Sequence, residues 1–335
     1  RLLPALVREA LAMRIDVSPL SEADVSVLIE HTYRLAPHDA ARLARDLQAR
    51  ADGNPFFIGE LLRSLEGNAL RPAKNGGWTL GPFERTRIPT LLRQVIDQRL
   101  SRLGTDAEAV LAVAAMIGQI VPFDLWGTVA AIEEPALFDI VGRAIEANTL
   151  DATGEAPAAR FPPALIREPL YEGVLPPRRR VWHLQIADAL LSAGDDPDPD
   201  QVAYHLQQAS DRRAVEWLIR AGERAQRAFA WRTAAQRFES ALAIVETDPS
   251  AQNELGWLRF RLALLRRFEQ PFAGVALLES AERIGRSTND RALVAYARFY
   301  QGMLRCQADD LRQGIAAEEA GIAMLDALPA DDRAR

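Results

Sequence analysis

The stretch Gly53 to Arg63, GNPFFIGELLR, constrains this chain more than any other, because turn chemistry and a helix start coincide there. A glycine suits the left-handed residue that closes one helix. A proline two residues later has the fixed φ and the missing N–H that belong in the first turn of the next. Two helices are therefore expected to meet at Gly53-Asn54-Pro55. Ile58, Leu61, Leu62 and Leu65 then recur at i, i+3, i+4 and i+7, with Glu60, Arg63 and Ser64 off that face, so the second helix packs by one side.

The flanking segments read mostly as helices. Leu2 to Met13 has helical spacing, and Arg14 to Val17 is short and β-branched before Pro19, which predicts a strand and a turn. Ser21 with Asp24 predicts a capping-box start for a helix carrying Val25, Leu28 and Ile29. Ala40, Leu43, Ala44 and Leu47 mark the helix that ends at Gly53. Asn75-Gly76-Gly77 before Trp78-Thr79-Leu80 predicts a turn or hairpin. From Pro89, the positions Leu91, Leu92, Val95, Ile96, Leu100 and Leu103 hold a helical period that Gly104 stops. Thr105 with Glu108 predicts a second capping box, and the helix to Ile117 is apolar on nearly all faces, hence buried. A helix at 134–148, a β-like pair near Leu150 and Ala159 to Phe161, and a helix ending near Tyr171 complete a small mixed domain. After a linker at Asp195 to Asp200 the pattern is purely helical. Gly222, Ala234, Phe238 and Ala241 fit the small and aromatic positions of a tetratricopeptide unit. Similar beats at Leu278 with Ala281, and at Ala317 with Ala320, are spaced by about 40 residues rather than the usual 34 or so. A repeat array is the expectation, a plain helical bundle the alternative.

Composition excludes several function classes. At 335 residues and 48% hydrophobic, the chain has material for two or three domains. A net charge of -6 provides no basic field for a phosphate backbone. The most basic cluster, Arg178-Arg179-Arg180 with Trp182 and His183, is accordingly expected to be a solvated helix face without DNA contact. One cysteine, Cys306, excludes an internal disulfide and a Cys-based zinc cluster, which fits the cytoplasm. The longest apolar run, Ala109 to Ile117, is far short of the roughly 20 residues that span a bilayer. The opening RLLPALVREALAMRIDV lacks an initiator Met and does not look like a secretory leader, so the chain reads as an excised piece. His31, His38, His183 and His205 have no metal-like spacing and read as surface or packing residues. No phosphate-cradling GxxxxGK[ST] occurs, and no residue is singled out as catalytic or metal-binding.

Two strings carry a resemblance. GNPFF at 53–57 and RFPPALIREPLY at 160–171 resemble segments of the STAND-type signal-transducing ATPases, in particular the large LuxR-type transcription regulators related to the maltose-regulon activator. The resemblance implies a mainly α fold in which a helical lid and a winged-helix domain precede a tetratricopeptide-like α-solenoid. It assigns 1–72 to the last strand and lid of the nucleotide module, 73–194 to the winged helix with its hairpin linker, and 201–335 to the repeats. It implies that Gly53, Asn54 and Pro55 lie at the nucleotide, with Gly53 and Pro55 against the adenine, and makes Arg167 a candidate phosphate contact. ATP or ADP would be the cofactor of a full-length, slow regulatory ATPase whose magnesium ligands lie elsewhere. A small-molecule inducer or a protein would bind the repeats, DNA would be bound by a domain beyond Arg335, and self-association would follow the nucleotide. The family pattern F-x-H-x-L-I-R-E-x-L-Y also exposes two departures. Pro163 stands where the family has a histidine that contacts the β-phosphate of ADP, and proline has no donor to offer. Pro169 is expected to kink or end its helix. Two other readings stay open: a helical-repeat adaptor that never meets nucleotide, and the same module attached to a nucleotide cyclase or kinase.

Overall fold

A computed structural model describes residues 18–73, 76–83, 88–154, 156–162, 164–194, 196–267, 271–307 and 310–329. The expected helix at 2–13 and strand at 14–17 lie outside these residues, as do Asn75 and Pro163. The fold is mainly α, with sixteen α-helices and five short strands among the described residues. It divides into two compact units, Arg1–Arg178 and Arg179–Arg335.

In the first unit, α1 (Glu22–Tyr33) starts from the expected capping box. The Asp24 N–H donates to Ser21 Oγ at 3.2 Å, and the Ser21 N–H donates to Asp24 Oδ2 at 2.9 Å. Helix α2 (Pro37–Ala51) buries Ala40, Leu43, Ala44 and Leu47, and α3 (Pro55–Leu65) buries Phe57 together with the four predicted positions. The hairpin follows as β1 (Leu70–Pro72) and β2 (Trp78–Leu80), antiparallel, with Pro72 opposite Trp78. The Trp78 ring meets Tyr33 edge-on at 5.2 Å, and the Tyr33 hydroxyl donates to Glu66 Oε1 at 2.6 Å. The hairpin and the end of α3 are thus tied to α1.

Next come α4 (Thr90–Ser101), α5 (Thr105–Ile117), β3 (Ile120–Pro122), α6 (Phe123–Ala130), α7 (Glu134–Glu146), β4 (Asp151–Ala152), β5 (Ala158–Arg160) and α8 (Ala164–Gly173). The strands form an antiparallel sheet in the order β3-β5-β4. The expected pair is β4 with β5; β3 and α6 have no counterpart in the sequence reading. Helix α6 is anchored by Trp126, which is fully buried and donates its indole N–H to the Val110 carbonyl at 2.9 Å. The second expected capping box does not form. Gly104, at φ 91, takes the N-cap, which puts Thr105 one residue inside α5 with no side-chain cap. Asp106 in that first turn instead receives the Arg143 guanidinium at 2.9 Å. Nor does Pro169 end its helix. Helix α8 runs through it to Gly173, although the missing N–H withholds the donor that the Leu165 carbonyl would otherwise accept.

The second unit is a helical-repeat solenoid. Its helices are α9 (Pro176–Ser192, whose first residues precede the boundary), α10 (Pro199–Gln208), α11 (Ala214–Arg227), α12 (Trp231–Val245), α13 (Gln252–Arg266), α14 (Pro271–Ser287), α15 (Arg291–Gln307) and α16 (Leu311–Asp326). From α10 onward each packs chiefly on the next, as stacked repeats do. The three expected beats fall on alternate helices: Phe238 on α12, Leu278 and Ala281 on α14, and Ala317 on α16, all buried. At the first beat the reason for a glycine is direct. A Cβ on Gly222 of α11 would lie 2.5 Å from the Phe238 ring, so the bare backbone is what admits the phenyl. Cys306 is half-buried on α15.

Candidate functional site

The junction at Gly53 is built by two consecutive left-handed residues. Helix α2 ends at Ala51, Asp52 follows at φ 49 and Gly53 at φ 72. The Leu20 N–H donates to the Gly53 carbonyl at 2.9 Å, and a Cβ on Gly53 would come within 2.2 Å of the Leu20 carbonyl oxygen. Gly53 is therefore required by the chain crossing over it. Asn54 is the N-cap of α3, its Oδ1 accepting from the N–H groups of Phe56 at 3.1 Å and Phe57 at 3.3 Å, and Pro55 occupies the first helical position. Of the three residues assigned here from sequence, only Pro55 offers an exposed side chain. Beside it Phe56 is 47% exposed, a neighbour that the GNPFF string contained and the sequence reading did not single out.

Arg167, the fourth assigned residue, is half-buried on α8. Its Nε donates to the Ala115 carbonyl at 2.6 Å, and its guanidinium lies 5.9 Å from the centre of the Tyr171 ring. Ala115 is in the last turn of α5, where carbonyls lack intrahelical donors, and a cation there complements the helix dipole. Arg167 thus holds α8 to α5. The stretches around Gly53 and Arg167 are joined through their neighbours. Arg50 lies 3.7 Å from Glu168, and Arg160 lies 3.5 Å from Asp52 and 3.3 Å from Asp151. The Arg50–Glu168 and Asp52–Arg160 pairings have no sequence signal, since their partners are distant in the chain, whereas Asp151 and Arg160 face each other across the expected β4–β5 pair.

Burial raises the pKa of Glu168, with Arg50 opposing it, and burial likewise raises that of Asp46, one turn before Arg50. Burial outweighs the Arg50 attraction, so the charged form of Glu168 is disfavoured relative to the unfolded chain. A raised acid pKa contributes stability that is complete below the unfolded value, ordinarily 4.5, and is lost as pH rises through the folded value. Glu168→Gln is therefore expected to match the parent in urea midpoint at about pH 4 and to exceed it at about pH 8. A variant less stable than the parent at the higher pH would show that the Arg50 pair dominates.

The remaining candidates separate cleanly. His31 and His38 are exposed. His183 on α9 and His205 on α10 are both buried, with their Nδ1 atoms 2.8 Å apart, one imidazole donating to the other. Arg178 and Arg180 are exposed in the first turns of α9, with Arg179 half-buried between them. No group of three or more His, Cys, Asp or Glu among the described residues could hold a metal ion, and no described helix is long and apolar enough to cross a membrane.

A family model described as a domain of unknown function (DUF8739) matches residues 38–76, the segment from α2 to the hairpin. No curated protein matches the chain. Among solved structures, it is similar to a Signal Transduction ATPase with Numerous Domains (STAND) protein with a tetratricopeptide repeat sensor from Pyrococcus horikoshii. The identity is 12% and the TM-score 0.40, over 94% of this chain and 55% of that one. The chain thus spans about half the length of that protein.

Proposed function

We propose that the chain is the regulatory part of a STAND-type signal-transducing ATPase of the LuxR-type regulators. In this reading a helical lid at 1–72 and a winged-helix domain at 73–194 close on a nucleotide, while the repeats at 201–335 receive the signal. The observation that carries it is the pair of ion pairs, Arg50 with Glu168 and Asp52 with Arg160, which join the two family-like stretches directly beside Gly53-Asn54-Pro55. Pro55 and Phe56 supply exposed apolar surface suited to the flat face of an adenine. Gly53 and Asn54 set the angle at which that surface is presented. Arg167 would come to the phosphates only by giving up its Ala115 carbonyl. The phosphate-binding lysine and the magnesium ligands would come from outside 1–335, and so would the DNA-binding output. The whole protein would be cytoplasmic, and would self-associate according to its nucleotide.

The chain offers the adenine side of a site without its phosphate side. It should therefore show no ATP turnover and at most weak ADP binding. In the full-length protein, Pro55→Ala is expected to lower ADP affinity about tenfold, roughly the loss of one or two buried methylenes. Its melting midpoint should stay close to the parent's, since the first helical position tolerates alanine. Calorimetric titration with ADP is the measurement. Unchanged affinity in a folded variant would remove the adenine role, and no ADP binding by the full-length parent would leave the repeat adaptor as the better reading.

A further inference from the structure

The turn between α11 and α12 carries Phe229, 76% exposed, and Trp231, 51% exposed, with their rings edge-to-face at 5.7 Å. Its backbone is a paired closure of α11, the Phe229 N–H donating to the Gln226 carbonyl at 3.0 Å and the Ala230 N–H to the Ala225 carbonyl at 2.9 Å. Such a closure needs a left-handed residue after the helix, a place glycine fills without strain. Here Phe229 takes it, at φ 58. The other non-glycine left-handed residues among those described are Arg34, Asp52, Ala131, Asn148, Ser210 and Asn289, so Phe229 is the one aromatic in the set. Its ring lies outside the core, and its aromatic contact is the equally exposed Trp231. Neither the backbone nor the core accounts for a phenylalanine at this position.

The charges around the turn point the same way. Arg220 is paired with Glu216, Arg224 with Asp198 and Asp200, and Arg237 with Asp200. Arg227 and Arg232, the two arginines nearest the aromatic pair in the chain, have no hydrogen bond or ion pair among the described residues, in a chain of net charge -6. Trp231 and Arg232 also line a cleft of about 290 Å³ with Gln236, Glu239, Leu265 and Arg266, in which Glu239 and Arg266 are paired with each other. Two arginines without partners among the described residues thus flank two exposed rings in the chain, with Trp231 and Arg232 at the edge of a small cleft.

We propose that this turn docks a segment of a partner protein that presents a carboxylate beside an aromatic or proline ring. A guanidinium recognises a carboxylate through two parallel N–H donors, and exposed aromatic and arginine side chains are the residues that dominate protein interfaces. The proposal rests on the reading of the repeats as the receiving part and is independent of the nucleotide reading of the first unit.

The test is selection of phage-displayed random peptides on the whole chain, followed by titration of a synthetic selected peptide. The enriched sequences should place Asp or Glu next to Phe, Tyr, Trp or Pro. Affinity should fall at least about tenfold in the Arg227→Glu, Arg232→Glu double variant and in Phe229→Gly, as for loss of an interface anchor. Phe229→Gly should keep or raise the melting midpoint, because it removes a strained left-handed side chain; a purely structural ring would lower it. Selected peptides that bind the double variant as well as the parent would place the site elsewhere on the chain and overturn the proposal, while leaving the receiving role of the repeats standing. Enrichment of no peptide would likewise overturn the proposal, while a receiving role toward a small molecule would stand. Tighter binding of single-stranded poly(U) than of any selected peptide would give the face to nucleic acid and overturn the proposal as well.

Discussion

Phe238→Ala is expected to lower the stability of the second unit by about 3–5 kcal/mol, the range for emptying a fully buried aromatic site. The ring has no exposed surface and fills the space above Gly222, where even a methyl group would lie 2.5 Å from it. Alanine leaves a cavity that glycine cannot close from the other side. Phe238 shares its cluster with Leu218 on α11 and with Leu255 and Leu258 on α13, so the loss extends to the following helix pair. Urea unfolding followed by circular dichroism reads the effect. A loss below about 1 kcal/mol, far under the buried-aromatic range, would mean that neighbouring helices collapse into the gap and that the ring does not set the spacing of the repeat.

The second large effect is expected at the junction of α2 and α3. Gly53→Ala places a Cβ 2.2 Å from the Leu20 carbonyl oxygen and 2.9 Å from the Leu20 nitrogen, against backbone that cannot rotate away. It also forces alanine to φ 72. Gly67→Ala is the control, since Gly67 has a similar φ of 78 but open space where the Cβ would go. The control should lose about 1 kcal/mol, the left-handed penalty alone. Gly53→Ala should lose at least about 2 kcal/mol more, as overpacking against a rigid neighbour does. Equal losses in the two variants would show that the segment around Leu20 yields, and that the junction is not held by it.

Both predictions depend on glycines, but the sequence carried them unequally. Gly53 with Pro55 announced a helix junction through conformational rules that act over two or three residues. Gly222 and Phe238 announced a packed pair only through a repeat pattern. The same difference in range runs through the whole chain. Apolar spacing is a local property that survives in the sequence, which is why α2, α3, α4 and α5 and the helical character of the second unit were legible; turn chemistry, equally local, marked the hairpin. Strand β3 and helix α6 are too short to hold a period; β3 is placed by its pairing with β5, and α6 by a buried Trp126 bonded to Val110. The capping box at Thr105 failed by one residue, because a Ser/Thr-x-x-Glu pattern is as compatible with the first helical position as with the cap. Only the backbone at Gly104 decided between them.

For the candidate site the division is sharper. Residue types and order alone determined that two helices meet at Gly53, that α3 buries one face, and that the chain carries no phosphate loop of its own. Tertiary structure decided that Gly53 lies under the backbone of Leu20 and that Asn54 spends its side chain on a cap, leaving Pro55 and Phe56 as the presented surface. It also decided that Arg167 bonds Ala115, that Arg50 faces Glu168, that Asp52 faces Arg160, and that His183 bonds His205. Helix propensity, capping and turn preferences are set by a residue and its near neighbours in the chain. A hydrogen bond or ion pair across the fold depends on the positions of whole elements, and no local pattern encodes those.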